Sequence, residues 1–329
     1  MTTVSVERRR ARPMVAARRG LLGGPAWLPW ALLLPALVFA LMFKFIPMVE
    51  GLRMSLFKVQ PFLGDQWVGL ENYRTVLTDS RFRGALGHTL LLGIGQTVGA
   101  LVLGFLLALL LEGQSRSLWV LRTAIFLPVV TAVAVIGEVW RILYFPTETG
   151  FVNEIAGWFG LGPFGFLNDP GQALVSVMVV GIWTAAPYNM VIILAGLAGI
   201  DRTLYEAAAV DGVSRWQRIR YIVVPGLRPA ISVLLTLAAI RSLRIFTEVF
   251  VLTGGGPAGS TEVWMTRVYS LGFQRNDLGV ASAASTLLLL VTILLTLGMR
   301  LLTRQKEPGA PRRPLARRLR HARPTRSTG

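Results

Sequence analysis

With 329 residues, 53% hydrophobic and 16% charged, the chain is too apolar for a soluble protein, where about a quarter of residues are charged. It contains no cysteine, which excludes disulfides, thiolate metal sites and cysteine nucleophiles, and its two histidines, His88 and His321, lie far apart. The net charge of +17 gathers at the ends: residues 1–30 hold six Arg against Glu7, and residues 300–329 hold ten Lys or Arg against Glu307.

The apolar runs are continuous rather than alternating, so the spans are helices and not barrel strands. Residues 1–26 read as a basic cytoplasmic tail, and residues 27–87 as a first span, Trp27 to Val49, with a polar external segment. Five further spans occupy a core over 88–302. The second runs from His88 to Leu111, with Gly93, Gly95, Gly99 and Gly104 suited to close helix packing. The third runs from Leu118 to Leu143, where Pro128 predicts a kink. A loop over 144–172 contains Glu148, Glu154 and Asp169 but no Lys or Arg, with a short helix expected near Phe151 to Phe159.

The fourth span runs from Ala173 to Gly199 and has Pro187 near its middle. Thr184, Tyr188 and Asn189 lie beside that proline, and a proline-broken helix is a common device for exposing carbonyls to a solute. The alternative role for these three is hydrogen bonding between helices.

Residues 201–229 interrupt the apolar pattern. Thr203 with Glu206, and Ser214 with Gln217, fit capping boxes and predict two short helices. Gly212 sits between them where positive φ ends a helix, and Pro225 and Pro229 are expected to stop the second.

The fifth span runs from Ala230 to Leu252 and carries Arg241, Arg244 and Glu248. Charges inside a bilayer cost about 3 kcal/mol each on insertion scales, so they are seldom idle. Arg244 and Glu248 are spaced to pair at i,i+4 on one helix face, either lining a solute path or joining two helices. A turn with the sequence TGGGP, Thr253 to Pro257, leads toward the sixth span, Val280 to Leu302, and residues 303–329 form a second basic tail.

Lys and Arg set the orientation. Segments assigned inside hold 23 of them and segments assigned outside hold 7, so both termini are cytoplasmic. The tails then have a topological role beside anionic lipid. No folded nucleic-acid module accompanies them, and no nucleic-acid partner is expected. The chain contains no Walker-type phosphate loop, and no catalytic residue or metal site is expected.

The pattern Glu206, Ala207, Ala208, Asp211, Gly212, Ile222, Pro225 resembles the EAA loop of permease subunits of ATP-binding-cassette importers, although Val224 stands where Leu is usual. VGLENY at Val68 to Tyr73 and the TGGGP turn resemble the sugar branch, the maltose and glycerol-3-phosphate type permeases. Phe246-Thr247 departs from the Phe-Asp often found there. The resemblance implies an all-α membrane bundle of the type I importer class. It implies a second homologous permease, two ATPase subunits that use ATP and Mg, and an external solute-binding protein. The loop would couple to the ATPases, and the cargo would be a sugar, polyol or sugar phosphate. A polyamine or peptide importer of the same architecture, and a membrane scaffold without transport, are the alternative readings.

Overall fold

A computed structural model describes residues 27–60 and 64–302; the two basic tails lie outside the described residues. Four helices are long and apolar enough to cross a membrane: α1 (Leu28–Met54), α3 (Ser80–Leu110), α7 (Ala173–Ala198) and α13, spanning over Leu278–Met299 and ending at Leu302. Two bent pairs bring the count to six if each is one span: α4 (Arg116–Val130) with α5 (Val133–Leu143), and α9 (Arg215–Gly226) with α10 (Arg228–Ser242). Shorter α-helices lie between them. These are α2 (Glu71–Thr78), α6 (Phe151–Gly157), α8 (Arg202–Val210), α11 (Thr247–Leu252) and α12 (Trp264–Tyr269).

α3 and α7 form the central pair. Glycines let their backbones approach: a Cβ at Gly104 would stand 2.7 Å from the Asn189 Cβ and 2.8 Å from the Ala186 carbonyl oxygen. Such small-residue contacts replace hydrophobic burial as the source of helix association in lipid. One buried cluster at the Leu110 end of α3 joins Ala108 and Leu111, Leu197 of α7, and Val223 and Leu227 near the α9–α10 bend. Another, at the far end, joins Val76, Phe82, Trp264, Leu271 and Ala284.

The polar segment after α1 is stapled by side chains. Strands β1 (Phe57–Lys58) and β2 (Gln66–Trp67) pair antiparallel. Asn72 Nδ2 donates to the carbonyls of Ser55 (2.9 Å) and Phe57 (3.0 Å), and the Tyr73 and Ser55 hydroxyls are 2.6 Å apart. Two residues of the VGLENY stretch thus hold the hairpin to α2. α1 rests its C-terminal part on α13, yet none of its residues is buried in this chain.

Several expectations need correction. The second span begins at Ser80 rather than His88, because Asp79 accepts from the Arg81 amide (2.9 Å) and caps a helix that starts among charged residues. His88 is therefore inside α3, where Nδ1 lies 2.9 Å from the Glu262 carbonyl. The third span is not kinked at Pro128 but broken beyond it, with Thr131 and Ala132 extended and a bend of 101°. Pro187 leaves α7 unbroken and is itself buried. Thr184 Oγ1 bonds the Val180 (3.1 Å) and Gly181 (3.0 Å) carbonyls one turn back. The fifth span is also discontinuous: α10 stops at Ser242 and α11 starts at Thr247.

Candidate functional site

The loop over 201–229 is built from local capping. Asp201, not Thr203, caps α8, its side chain accepting from the Thr203 amide (3.0 Å). Those hydrogen bonds from Thr203 hold the Asp201 carboxyl below its ordinary pKa. At the other end Gly212 takes φ +67. The Val213 amide bonds the Ala208 carbonyl (3.0 Å) and the Gly212 amide bonds the Ala209 carbonyl (3.3 Å). This is the Schellman arrangement, which requires a left-handed residue at that place. α9 then opens with the expected Ser214–Gln217 capping box.

Pro225 does not end α9. A π turn over Ile219–Val223 precedes it, and the helix continues to Gly226. Widening the turn accommodates a residue that has no amide hydrogen to donate. The chain then bends by 63° into α10, whose first turn contains Pro229.

Of the loop residues singled out from sequence, Glu206, Ala207, Asp211 and Gly212 are exposed, Ala208 is buried, and Ile222 and Pro225 are half-buried. Ala208 faces inward, while Leu204, Val210, Trp216 and Tyr221 are exposed apolar side chains on the outer surface. Sequence reasoning passed over these four. Their signal was apolar residues in a polar, cytoplasmic stretch.

Where α10 stops and α11 begins, the chain borders a cavity of about 450 Å³ lined by Tyr188, Asn189, Arg241, Arg244 and Glu248. A smaller adjoining cavity of about 150 Å³ shares Tyr188, Arg241 and Glu248 and adds Thr184 and Thr131. All six residues proposed from sequence for a solute path therefore line one connected polar region.

Their pairing differs from expectation. Arg244 and Glu248 form no ion pair, because the helix that would have aligned them is broken between them. Glu248 instead accepts from Gln96 Nε2 of α3 at 3.1 Å. A Cβ on Gly181 would collide with that Gln96 side chain, so the absent side chain makes room for the amide. The break also places Arg241 in the last turn of α10 and Glu248 in the first turn of α11. Each charge is then favoured by the nearby helix dipole. Glu138 pairs with Arg141 at 3.1 Å, and both are exposed. Arg141 also donates to the Leu252 (3.3 Å) and Val251 carbonyls, closing the end of α11.

The family model for the inner membrane component of binding-protein-dependent transport systems matches residues 94–308. The chain belongs to that family. It is similar to the probable ABC transporter permease protein YurN of Bacillus subtilis, with 34% identity over 82% of this chain and 94% of that protein. It is also similar to the trehalose/maltose transport system permease protein MalF of Thermococcus litoralis, with 31% identity over 83% of this chain and 92% of that protein. Among solved structures, one chain of a bacterial ABC transporter involved in import of the acidic polysaccharide alginate matches with TM-score 0.75 and 29% identity. That match covers 85% of this chain and 96% of the other. The permease is thus a non-catalytic, multi-pass inner-membrane component of an ABC importer in a sugar-transport family.

Proposed function

We propose that this permease forms part of the translocation path for a sugar, polyol or sugar phosphate, with Arg241, Arg244, Glu248, Thr184, Tyr188 and Asn189 facing the solute. The observation that carries the reading is continuity. The two loop helices pack on the cytoplasmic ends of α3 and α7. From the bend at Leu227, α10 runs unbroken to Arg241 at the cavity. A push on α8 and α9 would therefore reach the polar region through one stiff element.

The solute class draws support from relatives named for arabinooligosaccharides and sn-glycerol-3-phosphate as well as trehalose and maltose. The cavity suits such cargo, since two guanidinium groups and a carboxylate offer donors and an acceptor to hydroxyl or phosphate oxygens. The partners in this reading are a second permease, two ATPase subunits that bind ATP and Mg, and an external solute-binding protein. Glu206, Ala207, Ala208, Asp211, Gly212, Ile222 and Pro225 belong to the loop that engages an ATPase subunit.

The test is reconstitution of the complete transporter in proteoliposomes with its binding protein. ATP-dependent uptake of a labelled oligosaccharide or glycerol phosphate is expected. Replacing Arg244 by Ala should reduce uptake while the ATPase subunits still co-purify. Uptake of neither solute class, or full uptake by the Arg244 variant, would count against the assignment.

A further inference from the structure

The permease has another polar cavity, about 490 Å³, that shares no lining residue with the central region. It sits at the Ser80 end of α3. The cytoplasmic loop packs against the opposite end of that helix, around Ala108 and Leu111. The cavity therefore opens on the outer face.

Its deepest group is Arg267, 4% exposed. Arg267 Nη2 donates to Asp79 at 3.0 Å, Nη1 lies 3.7 Å from Glu262, and the guanidinium carbon stands 5.6 Å from the centre of the Phe82 ring. The Nε of this side chain is buried and has no acceptor. Arg81 and Arg275, both exposed, also line the cavity. Three arginines thus face one lining carboxylate, Glu262, and the surplus stays positive when Asp79 is included. Much of the remaining wall is small. A Cβ at Gly84 would meet nothing within 4 Å, and the Gly254–Gly256 turn presents no side chains.

We propose that this cavity receives an acidic side chain of the solute-binding protein and so fixes where that protein docks. The inference rests on the reading that such a protein delivers the solute. A carboxylate is the anion that suits a wall carrying the exposed Arg81 and Arg275 guanidinium groups, because charge-assisted bonds to Arg are short and strong. The exposed pair would steer an acidic surface inward, and the small wall would admit the side chain that follows. A solute held here would be away from the central cavities, which favours a docking role over a transport subsite.

The test uses the complete transporter in proteoliposomes with its solute-loaded binding protein. ATP hydrolysis and uptake are measured against binding-protein concentration. For Arg81→Glu with Arg275→Glu, the half-saturating concentration should rise about tenfold or more, while the rate at saturation is retained. Raising the salt should weaken the wild type and, by screening the repulsion, strengthen the charge-reversed variant, so that the two converge. Gly84→Phe, which fills the cavity without altering charge, should give a similar shift in half-saturation. Unchanged half-saturation in both variants overturns the proposal. So does a lower saturated rate without a shift, which would indicate a solute subsite. Dependence on the anionic lipid content of the vesicles in place of binding-protein concentration would overturn it as well. If the wild type shows no binding-protein-dependent uptake at all, the transport reading itself fails.

Discussion

At the scale of single residues, Gln96 is the least conspicuous member of the central site and one of the more consequential. Its amide is the hydrogen-bond donor that the structure gives Glu248. Removing a bond to a charged group costs about 1.5–3 kcal/mol where water cannot replace it. Gln96→Leu should therefore lower uptake sharply at normal expression, and Glu248→Gln, which still accepts through its amide oxygen, should retain more activity. Uptake normalised to membrane content compares them. Asp79 provides a pH test. Burial raises its pKa, but the Arg81 amide and the Arg267 guanidinium outweigh that effect and hold the carboxyl below its ordinary value. A depressed carboxyl stabilises the fold above its unfolded pKa, and that stability is lost as pH falls through the lower, folded value. The thermal midpoint should fall in acid, and Asp79→Asn should flatten that part of the profile. Gln96 was visible as a lone amide in an apolar span. Arg267 was not legible, because its acidic partner Asp79 lies 188 residues away.

At the scale of elements, the loop was the most legible part because its signals are local. Ser214, Gln217 and Gly212 act on backbone groups within a few residues. Gly212 should not tolerate a β-branched residue, since the left-handed conformation costs about 1–2 kcal/mol with a side chain. Gly212→Val should uncouple ATP hydrolysis from uptake while the subunits still assemble, as read by the ratio of the two rates. The breaks were less legible. Pro128 signalled a distortion but not its size, and residues 241–248 contain neither glycine nor proline. There the interruption is supported by tertiary contacts, with Leu243 and Ile245 buried and Glu248 tied to α3. The α3–α7 contact gives a cleaner test. Gly104→Leu would drive a side chain into the backbone of α7. Overpacking of this kind costs about 1–3 kcal/mol, so the thermal midpoint in detergent should fall.

At the scale of the whole molecule, the absence of cysteine makes the topology directly measurable. Glu154→Cys should react with a membrane-impermeant thiol reagent in intact cells. Val210→Cys, at a position 88% exposed in the loop, should react only in inverted vesicles and be shielded when the ATPase subunits are bound. Reversed labelling would invert the proposed orientation.

The straight run of α10 also has a mechanical meaning. Its 15 residues span about 22 Å at the usual helical rise. A tilt of about 10° at the Leu227 end would carry the far end through roughly 4 Å, by the same helix length. Such a stroke exceeds the reach of a hydrogen bond. On the proposed solute path, a small swing of this lever would suffice to release a bound oxygen from Arg241 without parting the α3–α7 seam.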